Sequence, residues 1–327
     1  MTSSSGTNAS WHRAVICFAL SAAIVSLPLC ILLVEKEHSS LGAVPDGTSR
    51  ITVHNKCDFE IWVGTHGTGA DGTAYSPGDG GFRLEPKFST VLHVSKPWIS
   101  GRIWGRTGCK ENAQELTCET GDCNGQKQCK VSGEPPCTLV EMTLGAPNHG
   151  SKDIYDLSLV DGYNLPVEVV ADNGINVEGT LPEYNCQKAK CANFDMSQCP
   201  PELTVLGSGG LTYCGSICFA ASHKDRVLQA GPIGAYDDNM IDNVCCHCAC
   251  GPRCGCDNPN SKHCCSPLAE NPNGGVCRVS DWPNSTQGKA YPDIFESQCP
   301  DAYSWQFDDV KSLYRCLNAS YQINFCP

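Results

Sequence analysis

From residue 50 to about residue 182, apolar residues fall on alternate positions in short runs separated by Gly, Pro, Asn and Asp. "RITVHN" puts Ile51 and Val53 on one face, and "FEIWVG" puts Phe59, Ile61 and Val63 on one face. "FSTVLHV", "GRIWGRT", "TLVEMTL" and "DIYDLSLVDGYNLPVEVV" repeat the pattern. A period of two with turn residues between runs predicts half-buried antiparallel strands, and no stretch in this half holds a helical period. The expected class is mainly β, a sandwich or flattened barrel. The glycine-rich "GTHGTGADGTAYSPGDGG" at 64–81 reads as a loop within it. It lacks the lysine and the following helix that a phosphate cradle needs.

From Tyr184 to about Ser297 the texture changes to Cys, Gly and Pro, with helix expected only in short pieces such as "GSICFAASHKDRVL". Such a lobe is held by cross-links more than by apolar burial. The last thirty residues recover alternation and are expected to rejoin the sandwich. A last strand lying beside the first would bring Cys326 to Cys57.

Near the N-terminus, "AVICFALSAAIVSLPLCILLV" (Ala14 to Val34) runs twenty-one residues without a charge. That length crosses a bilayer as a helix. His12, Arg13 and the amino group precede it, so residues 1–13 stay in the cytosol and the rest is exported. Two readings stand. In one, 14–34 is an uncleaved signal-anchor of a single-pass type II membrane protein, with 35–49 a polar linker; in the other it is a signal peptide cleaved near Ser40 to Ala43. In both, residues 50–327 meet an oxidising compartment, outside the cell or on its surface.

Of 25 cysteines, Cys17 and Cys30 lie in the apolar segment, which leaves twenty-three for the exported part. That density predicts a disulfide framework, and "CETGDCNGQKQC" (118–129) then reads as staples around tight turns rather than a zinc knuckle. A net charge of −12 argues against nucleic acid and anionic lipid as partners and suits a neutral ligand such as a polysaccharide. Asn284 and Asn318 head glycosylation sequons on a chain facing the right way. No cofactor is expected.

"GRIWGRTGC", "CETGDCNGQKQC", "TLVE", "DLSLVDGYNLP", "CPDAYSW" and the terminal "INFCP" together resemble the thaumatin-like proteins, the osmotin or pathogenesis-related type, over about 50–327. "AQEL" before Cys118 departs from the glycine-containing lead-in of the family signature. The resemblance implies a flattened sandwich of about eleven strands (50–182 with 298–327), a disulfide-rich loop lobe (183–297) and a small stapled hairpin. It further implies eight disulfides: Cys57–Cys326, Cys109–Cys118, Cys123–Cys129, Cys186–Cys316, Cys191–Cys299, Cys199–Cys214, Cys218–Cys264 and Cys265–Cys277. Seven exported cysteines remain. Six lie in "NVCCHCACGPRCGC" (243–256), inside an insertion at about 219–262 that is longer than the family norm. They are expected to form extra disulfides, with a metal–thiolate cluster including His247 as the alternative. The seventh, Cys137, is the candidate for the odd thiol, either free or in an intermolecular bond.

Alternation sends Glu141 to the side opposite Val140, Met142 and Leu144, and sends Asp156 opposite Leu157 and Leu159. Arg102 shares its side with Trp104 and Arg106. By resemblance, Arg102, Glu141, Asp156, Asp161 and Asp301 line the family's acidic cleft. Such a groove holds a neutral sugar chain, with Trp104, Tyr155, Tyr163 and Tyr303 as candidate stacking rings. Hydrolysis of a glycoside needs one protonated and one ionised carboxyl. Two carboxylates about 5 Å apart repel by roughly 3 kcal/mol at an effective dielectric of about 20, which separates them by roughly two pKa units. The expected roles are Glu141 as general acid and Asp156 or Asp161 as base. Calcium is disfavoured, because Arg102 already offsets part of the charge and the acids lack the tight spacing of a calcium loop. The implied function is a defence-type protein that binds β-1,3-glucan of cell walls, with weak endo-β-1,3-glucanase and antifungal activity. The alternatives are a protein-binding module or inhibitor of secreted enzymes acting through the cysteine-rich insertion, and a membrane-anchored surface protein without catalysis.

Overall fold

A computed structural model describes residues 47–145, 147–246 and 278–327. The apolar segment 14–34, most of the linker and the cysteines from Cys248 to Cys277 lie outside the described residues. Among the described residues, no helix is long and apolar enough to cross a membrane.

The strands are β1 (Thr48–Asn55), β2 (Ile61–Thr68), β3 (Gly81–Leu84), β4 (Ser89–Ser95), β5 (Trp98–Arg106), β6 (Lys110–Glu111), β7 (Leu116–Thr117) and β8 (Leu139–Leu144). They continue with β9 (Asp153–Ser158), β10 (Val167–Asp172), β11 (Ala189–Cys191), β12 (Thr204–Leu206), β13 (Thr212–Cys214), β14 (Ala302–Tyr303), β15 (Tyr314–Cys316) and β16 (Ser320–Phe325). One sheet has the order β11-β10-β16-β1-β4. The other runs β14-β9-β8-β5-β2-β3, with β15 also pairing β9. Ile51, Val53, Val169 and Ile323 of the first sheet join Val63, Ile103, Val140 and Leu157 of the second in one buried core. The two sheets form the sandwich that the alternation predicts. β1 lies parallel to β16, Ile51 opposite Tyr321, and the Cys57–Cys326 disulfide closes that edge-to-edge return. β11 pairs with β10, so the sandwich reaches into the stretch assigned to the lobe.

Two local expectations fail for physical reasons. Phe59 is 49% exposed, ahead of β2 rather than on its core face. Asn55 Nδ2 donates to the Phe59 carbonyl at 2.9 Å, so the chain is still turning there. The stretch from Gly64 to Thr68 is the second half of β2, not a loop. Its glycines are there because the rings of the next strand lie across them. A β-carbon on Gly64 would collide with the Trp104 indole, and one on Gly67 with that of Trp98. Glycine in a strand commonly marks such a close approach.

Residues 118–137 cover part of the outer face of the larger sheet. Trp104, Cys123, Cys129, Cys137 and Leu139 form a separate buried cluster beneath them. Arg106, fully buried, donates from Nη1 and Nη2 to the carbonyls of Gln126 and Lys127 at 2.8 Å each. Burial pushes its pKa down to about 10.

Six disulfides form as the resemblance implies: Cys57–Cys326, Cys109–Cys118, Cys123–Cys129, Cys186–Cys316, Cys191–Cys299 and Cys199–Cys214. The expected Cys218–Cys264 bond is replaced by Cys218–Cys245. The reason is local: α1 (Ile217–Ser222), capped by Ser216 Oγ on Phe219 N at 3.2 Å, packs against α2 (Asp238–Cys245). The helix end thus presents Cys245 to Cys218. Cys246 is also disulfide-bonded. Cys264, Cys265 and Cys277 lie outside the described residues. Cys137 is free and buried. Burial first, then Asp161, raises its pKa well above the thiol range, with Arg102 and Arg106 acting the other way.

In the lobe, the buried Glu202 accepts from Thr286 N at 2.6 Å, Thr286 Oγ1 at 2.7 Å and Tyr291 OH at 3.3 Å. The sequon hydroxyl of Asn284 is thereby engaged. Asn318 is exposed, in a left-handed turn (φ 54°) between β15 and β16.

Candidate functional site

The β-ladders set the site. Arg102 of β5 lies directly opposite Glu141 of β8, and Glu141 lies directly opposite Asp156 of β9. Opposed residues point to the same face with β-carbons about 4.5–5.5 Å apart. Ile103, Val140, Met142, Tyr155 and Leu157 are buried in the core, so the three polar residues stand together on the outer face. Arg102 Nε donates to Glu141 Oε1 at 2.8 Å, and Nη1 donates to Ser132 Oγ at 3.1 Å. Both members of this ion pair are about a third exposed, with side-chain exposures of 35% and 30%. Asp161 arrives from the turn after β9, which Gly162 N closes on the Leu159 carbonyl at 2.8 Å. The Asp161 carbonyl accepts from Cys137 N at 3.2 Å, which ties the turn to the approach of β8. Alternation alone could predict which side each residue faces; only the register brings them into one row.

The carboxyls of that row are not equivalent. Among the described residues, Asp156 Oδ1 is out of solvent with no hydrogen-bond partner. Burial, followed by Glu141 and more weakly Asp309, raises the pKa of Asp156 well above the usual carboxylate range, against the pull of Arg102. Burial likewise raises Asp161 to about 6, with Arg102 lowering it and Glu141 raising it. Glu141 is the acid in contact with the guanidinium, one strand nearer to it than Asp156. Asp156 and Asp161 are thus the acids whose neutral form burial favours, where the sequence expectation gave the proton to Glu141. An ion pair favours the charged form of the acid it touches, and a partnerless buried oxygen favours the neutral one.

Asp301 does not join the row. Its Oδ2 accepts from Lys190 N at 3.1 Å. Burial raises its pKa, and the interactions that oppose this come from Lys190 and Lys188, with none from Arg102, Glu141, Asp156 or Asp161. It also faces Tyr314, which lies in register with the core residue Tyr155. Besides Glu141, the acid that acts on Asp156 is Asp309, at the start of α4 (Asp309–Ser312), where its Oδ1 accepts from Tyr303 OH at 2.8 Å. Nothing in "QFDDV" marks which acid of the pair turns inward, so the sequence alone does not reveal it. The four candidate stacking rings are all buried: Trp104 under residues 118–137, Tyr155 in the core, Tyr163 against Phe194 at 4.2 Å, and Tyr303 tied to Asp309. None presents a face to a sugar.

One further residue extends the row. His66 of β2 lies directly opposite Arg102, so the line across four strands reads His66, Arg102, Glu141, Asp156. The glycines on either side of it, Gly64 and Gly67, hide the strand from the apolar pattern.

A family model described as the thaumatin family matches residues 55–327. Pathogenesis-related thaumatin-like protein 3.5 of Cryptomeria japonica is 34% identical over 289 residues, covering 88% of this chain and 93% of that one. Thaumatin-like protein 1a of Malus domestica is 33% identical over 311 residues, covering 94% and 98%. Among solved structures, a laminaripentaose-producing β-1,3-glucanase in complex with laminaritetraose aligns over 86% of this chain and 99% of that one. Its 14% identity and TM-score of 0.45 are too slight to bear on function. By the extent of the family match and of these sequence identities, the chain belongs to the thaumatin family.

Proposed function

We propose that the row Arg102–Glu141–Asp156, flanked by Asp161, binds neutral polysaccharide, and β-1,3-glucan of cell walls in particular, in a defence-type role outside the cell. The observation that carries this reading is the register that sets the Arg102–Glu141 ion pair beside Asp156, a carboxyl whose pKa burial raises, on adjacent strands. Ionised carboxylates only accept hydrogen bonds, whereas a protonated carboxyl and a guanidinium donate. A sugar hydroxyl does both, so a row that alternates these groups can satisfy successive hydroxyls along a chain. The same asymmetry supports weak endo-hydrolysis. Asp156 would donate its proton to the glycosidic oxygen, while Glu141, ion-paired to Arg102, would serve as the ionised carboxylate. Export is supported by the seven disulfides among the described residues. The exposed Asn318 sequon fits a glycosylated exported chain.

The test is retention on insoluble β-1,3-glucan with released sugar assayed in parallel. The wild type is expected to be retained. A Glu141→Gln/Asp156→Asn variant is expected to lose about tenfold or more in affinity, since hydrogen bonds to charged groups contribute about 1.5–3 kcal/mol each. Equal retention of the two proteins would remove the cleft reading and move function to the loops, as in a protein-binding module.

A further inference from the structure

We propose that His66 is a further ligand-contacting residue, which extends the polysaccharide row to a fourth strand and defines its far end. This rests on the cleft reading above. The position follows from β-pairing: His66 is in register with Arg102, and a β-bulge sets in between His66 and Thr68. The row therefore ends at His66 with the strand still regular. Three strand spacings of about 4.7–4.9 Å place His66 about 14–15 Å from Asp156, far enough apart for several consecutive sugar rings laid across the strands.

The ring is held and half-buried. Its Nδ1 lies 3.5 Å from Ser76 Oγ, and Ser76 comes from the segment just before β3. Among the described residues, Nε2 has no hydrogen-bond partner. Burial first, and the Arg102 charge second, lower its pKa, so the imidazole is neutral at neutral pH. A neutral imidazole offers one donor and one acceptor, the same pair a sugar hydroxyl offers. Arg102 lies between His66 and Glu141, so a ligand that bonds to His66 must also cross the ion pair. His66 would thus set how long a chain the cleft reads, not whether it binds at all.

The test compares oligosaccharides of β-1,3-linked glucose of increasing length on the full chain, for wild type, His66→Ala, His66→Gln and Asp156→Asn. Thermal unfolding is followed alongside. His66→Ala is expected to weaken binding of the longest oligosaccharide by roughly three- to tenfold, the value of one hydrogen bond, and to leave the shortest unchanged. His66→Gln, which keeps a donor and an acceptor, should retain part of the difference. Equal weakening at all lengths would mean a structural role and overturn the proposal. Unchanged binding at all lengths, with Asp156→Asn weakened, would overturn the His66 assignment and leave the cleft reading standing. A wild type that binds no length would overturn both.

Discussion

Asp156→Asn is expected to stabilise the folded protein at neutral pH, by about 1.4 kcal/mol for each unit by which folding raises the Asp156 pKa. Site substitutions seldom stabilise, so the sign is the informative part. Folding brings Asp156 against Glu141 and Asp309, with Oδ1 sealed and unbonded. Its native pKa is raised above its unfolded value. Its contribution to stability is therefore complete below the ordinary carboxylate pKa and is lost as pH rises towards the native one. Asp161 adds a loss of the same sign through about pH 6. The wild type should weaken steadily from pH 4 upward. Asp156→Asn should weaken less, so the two curves meet near pH 4 and diverge by pH 7. Guanidinium unfolding from pH 4 to 8 reads this directly. Parallel curves would mean that Asp156 ionises normally. On the proposed hydrolytic role, the same variant should lose roughly 10²–10⁴ in rate in a glucan-hydrolysis assay, the contribution of a general acid. Gain of stability with loss of rate is the signature of a strained functional group.

The second large effect is covalent. Removing the Cys57–Cys326 bond with Cys57→Ala/Cys326→Ala is expected to cost about 3–5 kcal/mol. The bond spans 269 residues and fastens the parallel β1–β16 pair, which has no short turn to hold it. Cys186–Cys316 already shortens the loop but leaves more than a hundred residues within it. Calorimetry on the double variant should show a melting temperature lower by several degrees, with the other disulfides intact. A loss below about 1 kcal/mol would mean that β-pairing alone closes the sandwich. The contrast is Cys123–Cys129, whose loop closes only six residues and lies over a packed Trp104.

What was legible in the sequence follows the physics of each feature. Alternation has a period that registers on single residues, so the core positions Val140, Met142, Leu144 and Leu157 and the outward side of Glu141 and Asp156 were readable. Lateral register is a relation between strands distant in sequence, and the opposition of Arg102, Glu141 and Asp156 became visible only once the strands were paired. β2 was cut short because glycine carries no apolar signal; Gly64 and Gly67 are strand residues whose missing side chains are replaced by Trp104 and Trp98 from the neighbouring strand. His66 was lost with them. The resemblance places Asp301 in the cleft, but the match fixes only its position after Cys299, and a disulfide there sets where the backbone passes, not which way the next carboxylate turns. The acid role expected of Glu141 passes to Asp156 in the proposed reading, because pairing sets Glu141 against Arg102 and leaves Asp156 Oδ1 sealed. Cys218 found Cys245 because two capped helices place them together, a local event that the distant Cys264 could not compete with.

The most direct test is a carbon-13 NMR titration of the side-chain carboxyls of Asp156 and Asp161 in the intact protein. The row predicts that Asp156 is still protonated well above the usual carboxylate range and that Asp161 titrates at about 6. Two ordinary titrations together near pH 4 would mean that these acids stand apart in solvent, and the account of the site would be wrong.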